Sequence, residues 1–525
     1  MIKCCLTSLC LTTIAAGAHA DYQDWCGWTD LAARIGSENV PNGAGVILGQ
    51  VEAADSNGYY LAFDTSADPE DPNFSGKWVQ RRSGGTQNPS SHATMVGGMC
   101  YGLEQGLANG IMFINGYELI NWIGTGYMHT GQGGNSPPED VIGAQKIWNN
   151  SWVGTLGSTS SDHDLLRRLD WVVSRDDVVA VVGLNNGTQQ QPLLSYGFNS
   201  IAVGCRDGDH ASGDVPAPYE GSGRMRPDLV APLFTTSEST ATVSAAVAML
   251  VEQVRDAANA LHADGERAEV LKAVLMASAT HNGIIGETWS NDAVVDGTDR
   301  GITVRPIDAT VGAGHVNVDQ AHLLMSSGKQ AGAASGTSGA NLAGWSLETL
   351  SPGEQRSWLF ASEGVTDAFS AIITWNRTVS KSFTTYTLAN FDLELLRLTS
   401  QGIETTLSGS HGLGVFDGGN IASRSDVDNT EHLYITGLHA GRYILRATRP
   451  AADSGGSSID IGVAWTASVP VPDADINDDD TVAVLDLLML LEHWGECDLC
   501  EADIEGSGLV DAIDLQLLLD AWLGL

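Results

Sequence analysis

Four polar residues in the first half of the sequence combine an acid, a base, an amide and a hydroxyl. Glu52 ends an apolar run, His92 precedes a helical pattern, Asn185 follows another apolar run, and Ser239 precedes a long apolar helical pattern. A serine hydroxyl is a weak nucleophile at neutral pH, and it needs an adjacent base that a third group orients. The residue types and their order therefore predict nucleophilic catalysis of acyl transfer.

The elements that must position these side chains alternate between strand and helix over residues 41–330. Short apolar runs predict buried strands at 46–51, 178–183 and 200–204, and amphipathic or apolar patterns predict helices at 93–107, 161–175 and 240–260. Strands that alternate with helices predict a largely parallel sheet with helices on both faces. The carboxyl ends of such strands are where open α/β sheets bind their ligands.

Taken in this order, the four segments resemble the subtilisin-like serine peptidases, in which the acid precedes the histidine and the histidine precedes the serine. The resemblance extends from Gly45 to Asn317 and includes the segments RPDLVAP at 226–232, AEVLKAVLMASA at 268–279 and GAGHVN at 312–317. It implies an α/β subtilisin-like three-layer domain. It also implies a serine-type endopeptidase that acts on protein or peptide substrates through an acyl-enzyme intermediate and requires no cofactor for the chemistry.

On this resemblance, Ser239 is expected to be the nucleophile, His92 the general base and acid, and Glu52 the group that fixes the imidazole tautomer. Asn185 is expected to donate its side-chain N–H to the developing oxyanion. A following segment resembles the edge strand that pairs with the substrate backbone, and it consists of Ser151, Trp152, Val153 and Gly154. Trp152 would either line a substrate pocket or belong to the core.

Three features favour an alternative function, a catalytically impaired subtilisin-fold protein that acts as a binding scaffold at the cell surface. Glu238 places an anion beside the predicted nucleophile, and Glu52 stands where the family usually has aspartate. In addition, only residues 21–44 lie between the predicted signal peptide and the catalytic segments, which is too few for a separate propeptide domain.

Length and charge limit the range of functions. The 525 residues suffice for about three domains. The chain has 26 Lys and Arg against 64 Asp and Glu, a formal net charge of −38. Such a charge repels polyanions, so we expect no nucleic-acid partner.

The amino terminus has the features of a signal peptide at residues 1–20. Lys3 is followed by an apolar run at 6–18, and Ala18-His19-Ala20 fits a cleavage site. The run is too short to cross a bilayer, so we expect no transmembrane segment. The protein is therefore predicted to be exported, either secreted or held at a bacterial cell surface. An oxidising compartment favours a disulfide between Cys497 and Cys500 over a zinc site.

After the predicted peptidase domain at 21–328, the composition changes. Residues 329–341 are rich in Gly, Ala and Ser and predict a linker. Short β-rich runs separated by turn residues predict an all-β sandwich at 342–468 as an accessory domain. Residues 473–525 form a small acidic helical module.

This module contains a repeat, because two twelve-residue stretches at 475–486 and 503–514 each lead into a Leu-rich helix. Oxygen side chains at alternating loop positions suit Ca²⁺, which takes six to eight oxygen ligands. The pattern resembles a dockerin, an α-helical module with two EF-hand-like loops. The first loop would supply Asp475, Asn477, Asp479, the Thr481 carbonyl and Asp486. The second would supply Asp503, Glu505, Ser507, the Leu509 carbonyl, Asp511 and Asp514.

We expect the first Ca²⁺ site to be tighter, since Glu505 is long for its position and Ser507 is a weak ligand. The resemblance implies attachment or sorting through a cohesin-like or cell-surface docking partner. Family members often dock through a Ser-Thr pair before loop position 12, where this chain has Val484-Leu485 and Ala512-Ile513.

Overall fold

The computed structural model describes residues 18–64, 71–85, 88–206, 208–256, 263–281, 289–407, 419–453, 455–468, 474–477, 481–497, 500–505 and 507–523. Of the predicted signal peptide, residues 1–17 lie outside the described residues, and so does the predicted calcium ligand Asp479. Among the helices that are described, none combines the length and the apolar character needed to cross a bilayer.

A seven-stranded parallel sheet forms the first body, in the order β2-β3-β1-β4-β5-β6-β7. Its strands are β1 (Ile47–Glu52), β2 (Trp78–Arg81), β3 (Phe113–Glu118), β4 (Gln145–Asn150), β5 (Val179–Gly183), β6 (Ser200–Cys205) and β7 (Leu229–Ala231). The strands β4, β5 and β6 are buried along their whole length, as expected for a sheet covered on both faces, and β5 and β6 are largely apolar. The predicted parallel α/β sheet is therefore confirmed.

Helices accompany this sheet at α1 (Ala18–Trp25), α2 (Trp28–Ile35), α3 (Ser91–Tyr101), α4 (Leu119–Asn121), α5 (Thr159–Asp176), α6 (Thr236–Asp256), α7 (Ala268–Ala277) and α8 (Val318–Ser326). A π-helical turn follows α4 at Trp122–Gly126, and short 3-10 turns lie at Ser37–Asn39, Pro72–Phe74 and Ala263–Glu266. The small side chains of α6 let it contact β4, β5 and β6 and become almost wholly buried. Its amino terminus is therefore held at the carboxyl edge of the sheet.

Further all-β sheets follow, as the sequence predicts. One is antiparallel, in the order β10-β20-β12-β18, and a second contains β15, β19 and β11 as its long strands. The bounds are β8 (Ile302–Thr303), β9 (Ser338–Gly339), β10 (Gly344–Leu350), β11 (Gln355–Ser362), β12 (Thr366–Trp375), β13 (Thr378–Val379), β14 (Tyr386–Thr387), β15 (Asp392–Leu398), β16 (Glu404–Thr406), β17 (Ala422–Ser423), β18 (Thr430–Leu438), β19 (Gly441–Thr448) and β20 (Ile459–Ala467). Apolar side chains of both sheets form one buried cluster.

The segment 329–341, predicted as a linker, runs along this β structure. Ala333 pairs with Ser357, and Ser338 and Gly339 form β9 beside β11. β12 and β20 in turn contact α7 of the first body. Gly462 makes this approach possible, because a Cβ there would lie 2.3 Å from the carbonyl oxygen of Glu269. Apolar packing and backbone contact therefore join the β sheets to the parallel-sheet body.

The carboxyl-terminal part has α9 (Val484–Glu492), α10 (Ala512–Leu523) and a short ladder between β21 (Gly495–Glu496) and β22 (Leu509–Val510). Its small core includes Ile476, Leu490, Ile504 and Leu518. The predicted disulfide between Cys497 and Cys500 is present. The described cysteines of the first body, Cys26, Cys100 and Cys205, are buried thiols.

Candidate active site and acidic loops

β1 and β4 are neighbours in the parallel sheet, although β2 and β3 lie between them in the sequence. β2 and β3 lie on one side of β1, and β4 to β7 follow on its other side, so the strand order reverses between β1 and β4. A crevice opens at the carboxyl edge of a sheet where the strand order reverses. Glu52 is the last residue of β1, and Ser151 directly follows β4. The amino termini of α3 and α6 bring His92 and Ser237 to the same edge.

His92 connects an acid to a hydroxyl at this edge. Its Nδ1 lies 2.8 Å from Glu52 Oε2, and its Nε2 lies 3.1 Å from Ser237 Oγ. A neutral imidazole that donates from Nδ1 to the carboxylate has an acceptor at Nε2, where it faces the serine hydroxyl. The structure thus brings Glu52 and His92 together, as the sequence predicts.

The hydroxyl partner of His92 is Ser237, and the prediction of Ser239 is wrong. Ser239 is fully buried, and its Oγ donates to the carbonyl of Ala231 at 3.4 Å. Successive residues of an α-helix are rotated by about 100°, so residues 237 and 239 point to nearly opposite sides of α6. In subtilisin-like peptidases the nucleophile ends a Gly-Thr-Ser segment, and the Thr236-Ser237 pair was the signal in this sequence that resembles it.

Backbone and side-chain contacts hold Ser237 in place. The Ser151 hydroxyl donates to the carbonyl of Ser237 at 3.1 Å, which ties the start of α6 to the segment after β4. The preceding N–H, that of Thr236, donates to Asn186 Oδ1 at 2.9 Å. The N–H of Ser237 itself belongs to the first turn of α6, where backbone donors have no intrahelical acceptor.

Asn186, rather than the predicted Asn185, contacts the first turn of α6. The Asn185 amide donates to the carbonyls of Asn186 and Gln189, both at 2.9 Å, so its two N–H groups are used within its own loop. Asn186 is exposed, and its Oδ1 accepts from the N–H and the hydroxyl of Thr236 at 2.9 and 3.1 Å. Sequence inspection chose the first of two consecutive asparagines, and only the fold distinguishes them.

A buried network orients Glu52. Its Oε1 accepts from Gln50 Nε2 at 2.9 Å, and Gln50 Nε2 also donates to the carbonyl of Ala93 at 3.1 Å. Gln50 Oε1 accepts from the hydroxyl of Tyr101. The Glu52 side chain is 1% exposed, so its charge is shielded from water and directed at His92. The side chain of Glu52 is one methylene longer than that of an aspartate, and its Oε2 still lies at hydrogen-bond distance from His92 Nδ1.

The electrostatic surroundings favour the protonated form of His92. Burial alone would lower its pKa, but the charge and hydrogen bond of Glu52 and the charge of Glu238 together raise the pKa above its usual value. The His92 side chain is nevertheless 34% exposed, so a substrate can reach Nε2. Glu238 is turned back toward its own turn, where its Oε2 accepts from the Thr235 hydroxyl at 2.8 Å.

The predicted substrate-binding residues border a cleft of about 280 Å³. Trp152, Val153 and Gly154 line it together with apolar residues of α4 and its following turn and of the segments around Gly154, namely Leu119, Ile120, Ile123, Leu156 and Leu193. Trp152 is also buried, and its Nε1 donates to Asn150 Oδ1 at 3.2 Å. Trp152 therefore serves both the pocket and the core, which the sequence left as alternatives. Ser151 is not among the residues that line this cleft, and its hydroxyl donates to the carbonyl of Ser237.

The two acidic loops have the same internal geometry. Asp486 Oδ1 accepts from Asn477 N at 3.2 Å and its Oδ2 from Ala483 N at 2.7 Å. In the second loop Asp514 Oδ1 accepts from Glu505 N at 3.2 Å and its Oδ2 from Asp511 N at 2.8 Å. The final aspartate of each loop thus binds loop positions 3 and 9.

Carboxylates converge in the second loop. Single oxygens of Glu505, Asp511 and Asp514 lie within 4.8 Å of one another. Asp503 accepts from the N–H groups of Ser507 and Gly508 at 3.0 and 2.7 Å, which curls the loop around its first residue. The Ser507 hydroxyl donates to the Leu509 carbonyl at 3.1 Å. This concentration of oxygen ligands suits a hard divalent cation.

No protein-family model and no curated protein matches this sequence. Among solved structures, the chain is similar to proteases from Pseudoalteromonas arctica, with 14% identity and a TM-score of 0.33, over 55% of this chain and 92% of that one. It is also similar to the A-subunit of the AB5 toxin from E. coli, with 18% identity and a TM-score of 0.37, over 58% and 98%. Similarities this weak carry no argument about activity.

Proposed function

We propose that this chain is a serine endopeptidase that hydrolyses peptide bonds through Glu52, His92 and Ser237. The observation that carries the proposal is the single imidazole bonded to a buried carboxylate on one nitrogen and to a serine hydroxyl on the other. An activated serine reacts covalently with fluorophosphonates. Labelling of the purified full chain at Ser237 would support the proposal, and the absence of labelling would count against it.

The chemistry follows from these three groups. Ser237 Oγ attacks the carbonyl carbon of the substrate while its proton passes to His92 Nε2, and Glu52 stabilises the resulting imidazolium. The C–N bond then breaks, His92 gives the proton to the departing amine, and the acyl group stays on Ser237. Water, deprotonated by His92, attacks the acyl-enzyme and releases the acid.

In this mechanism two donors would stabilise the oxyanion. The Ser237 N–H lies at the positive end of α6, and Asn186 is anchored to the residue before it. Loss of one such donor typically lowers turnover by about 10²–10³-fold. The apolar cleft beside Trp152 would take an apolar side chain of the acyl half of the substrate.

A catalytically impaired binding scaffold is the second candidate, and Glu238 favours it. Its carboxylate follows the nucleophile directly and adds negative charge where the oxyanion forms. Its hydrogen bond to Thr235 directs the carboxylate toward the chain's own turn. Peptide binding without turnover would identify a scaffold, whereas measurable casein hydrolysis would exclude it.

The pH dependence of kcat/KM should reflect the raised pKa of His92. His92 must be neutral to accept the serine proton, so we expect the acidic limb to lie above 6.5, the ordinary value. Neutralising Glu238 removes a charge that stabilises the imidazolium. Glu238→Gln should therefore move the limb to lower pH.

The matched control for this pH experiment is Glu363→Gln, which neutralises an exposed glutamate between β11 and β12 and should leave the acidic limb in place. An acidic limb at or below 6.5, or one that Glu238→Gln does not move, would show that the charges around His92 do not act as described.

We further propose that the protein is exported after cleavage following Ala20 and that its carboxyl-terminal module binds Ca²⁺. Asp486 and Asp514 make equivalent hydrogen bonds to loop positions 3 and 9, which supports the proposal that both loops bind Ca²⁺ in the same way. The cluster of Glu505, Asp511 and Asp514 supports a cation in the second loop. A dockerin-like module of this kind would attach or sort the peptidase through a cohesin-like or cell-surface partner.

Calcium should order this module in two steps. Titration of the chelator-treated full chain with Ca²⁺ should raise its helical circular dichroism, because each loop must gather its oxygens before its helix is fixed. Asp486→Ala should remove one step and Asp514→Ala the other.

Glu492→Gln, an exposed acidic residue at the end of α9, is the matched control and should titrate like the wild type. A module whose helical signal is the same in chelator and in Ca²⁺ would contradict the calcium proposal.

A further inference from the structure

A polar cavity of about 320 Å³ lies against β2 and β3, and it shares no lining residue with the cleft beside Trp152. Tyr117 of β3 lines the cavity, and the next residue, Glu118, pairs with Glu52 in the register of β1 and β3. Consecutive strand residues point to opposite faces of a sheet, so the Tyr117 side chain lies on the face opposite Glu52. The polar residues of the lining are Arg81, Arg82, Tyr117, Tyr127, Glu139 and Asp140.

Two tyrosine hydroxyls of this lining are buried without a hydrogen-bond partner among the described residues. Tyr117 is 2% exposed and Tyr127 1% exposed, and their rings pack edge to face with centres 6.0 Å apart. Burial raises the pKa of Tyr117 to about 12 and also raises the pKa of Tyr127, so both hydroxyls stay protonated near neutral pH. Because buried hydroxyls are normally paired, these two O–H groups are donors for which the fold supplies no acceptor.

Two guanidinium groups stand beside these hydroxyls. Arg81 ends β2 and donates to the carbonyl of Gly85, and Arg82 Nε donates to Asn115 Oδ1 at 2.8 Å. Both acceptors are neutral, and neither guanidinium forms an ion pair with a carboxylate of the described residues. The charge of Arg82 opposes the effect of burial on the pKa of Tyr117, as expected for a cation near that hydroxyl.

The two carboxylates of the lining, in contrast, already have cationic partners. Glu139 Oε1 lies 3.3 Å from His129 Nε2, and Asp140 Oδ1 lies 3.3 Å from Arg175 Nη1. Both ring nitrogens of His129 also lie within 3.1 Å of backbone carbonyl oxygens, an arrangement that suits a doubly protonated imidazole. The charge that the cavity leaves uncompensated is therefore positive.

We infer that this cavity binds a small oxyanion that carries carboxylate or phosphate groups. The planar forks of Arg81 and Arg82 match the oxygens of either group, and the hydroxyls of Tyr117 and Tyr127 would donate to the same anion. A volume of about 320 Å³ is at the lower end of the range of ligand sites, which limits the occupant to a small molecule. The inference does not rest on the peptidase function, because Glu52, His92 and Ser237 take no part in it.

Calorimetric titration of the full chain tests this inference. The probes are succinate, citrate and inorganic phosphate, each at the same total ionic strength, and succinamide is the uncharged counterpart of succinate. We expect at least one anion to bind with one-to-one stoichiometry and succinamide not to bind. Binding of succinate or citrate alone identifies a carboxylate site, and binding of phosphate alone identifies a phosphate site.

Variants tie the binding to the cavity. Arg82→Gln should weaken binding of the anion by about tenfold or more, because it removes a charge-assisted hydrogen bond. Tyr117→Phe should weaken it by about fivefold without lowering the unfolding temperature of the ligand-free protein, since the hydroxyl that is lost has no partner within the fold. Arg442→Gln removes an exposed arginine of β19 and is the matched control, with wild-type affinity expected.

The inference is overturned if none of the three anions binds at millimolar concentration, or if Arg82→Gln and Tyr117→Phe both bind the anion as the wild type does. Ser237→Ala should bind the anion with wild-type affinity, because the cavity lies on the other face of the sheet. The result therefore stands whether or not the chain proves to be a peptidase.

Discussion

Ser237→Ala should abolish fluorophosphonate labelling and lower kcat/KM for peptide hydrolysis by about 10⁴-fold or more, whereas Ser239→Ala should keep both. Ser237 is the hydroxyl within 3.1 Å of His92 Nε2, so its loss removes the only atom of the relay that can bond to the acyl group. Ser239 lies in the core and bonds to a backbone carbonyl. Its replacement should cost about 1 kcal/mol of stability through the lost hydrogen bond.

These two substitutions are matched, because each removes one hydroxyl from the same helix two residues apart. Mass spectrometry of the labelled peptide identifies the modified serine directly. Labelling that survives in Ser237→Ala and disappears in Ser239→Ala would restore the register expected from the sequence. It would also require the start of α6 to turn by about half a revolution.

The fold was largely predictable, and the site less so, for a physical reason. Apolar runs such as 178–183 are long enough to identify buried strands, and their alternation with helices implies a parallel sheet. The contact between Glu52 and His92 was also predictable, because Glu52 ends a strand and His92 lies at the start of a helix, and both positions belong to the carboxyl edge of the sheet. Errors of one or two residues hardly affect such predictions, because an element keeps its place when its boundary moves.

The turns that carry single polar side chains do not share this tolerance. Ser237 faces His92, whereas Ser239, two residues later, lies in the core. Asn186 accepts from Thr236, whereas the amide of Asn185, one residue earlier, bonds within its own loop. Long-range pairing was equally out of reach. No local pattern in 329–341 shows that this segment lies against β11. In the same way, no local pattern shows that β8 pairs with β17, which lies more than a hundred residues later in the sequence.

Glu52→Gln should lower kcat by about 10⁴-fold while leaving the fold intact, because the surrounding hydrogen bonds would force the wrong histidine tautomer. Gln50 Oε1 accepts from Tyr101, so the Gln50 amide must direct its N–H groups at residue 52 and at the Ala93 carbonyl. A glutamine at 52 would then turn its oxygen to Gln50 and its own N–H₂ to His92. The imidazole would have to accept at Nδ1 and carry its proton on Nε2, where it could not take the proton of Ser237.

The conservative partner of this variant is Glu52→Asp, which keeps the charge and the acceptor but shortens the side chain by one methylene. It should retain more activity than Glu52→Gln, since the required tautomer survives even though the hydrogen bond lengthens. Measured kcat values and the ¹⁵N shifts of the His92 ring nitrogens would separate the two effects. Should Glu52→Gln keep wild-type kcat, the buried carboxylate would have no part in orienting His92, and the proposed relay of Glu52, His92 and Ser237 would be wrong in its first member.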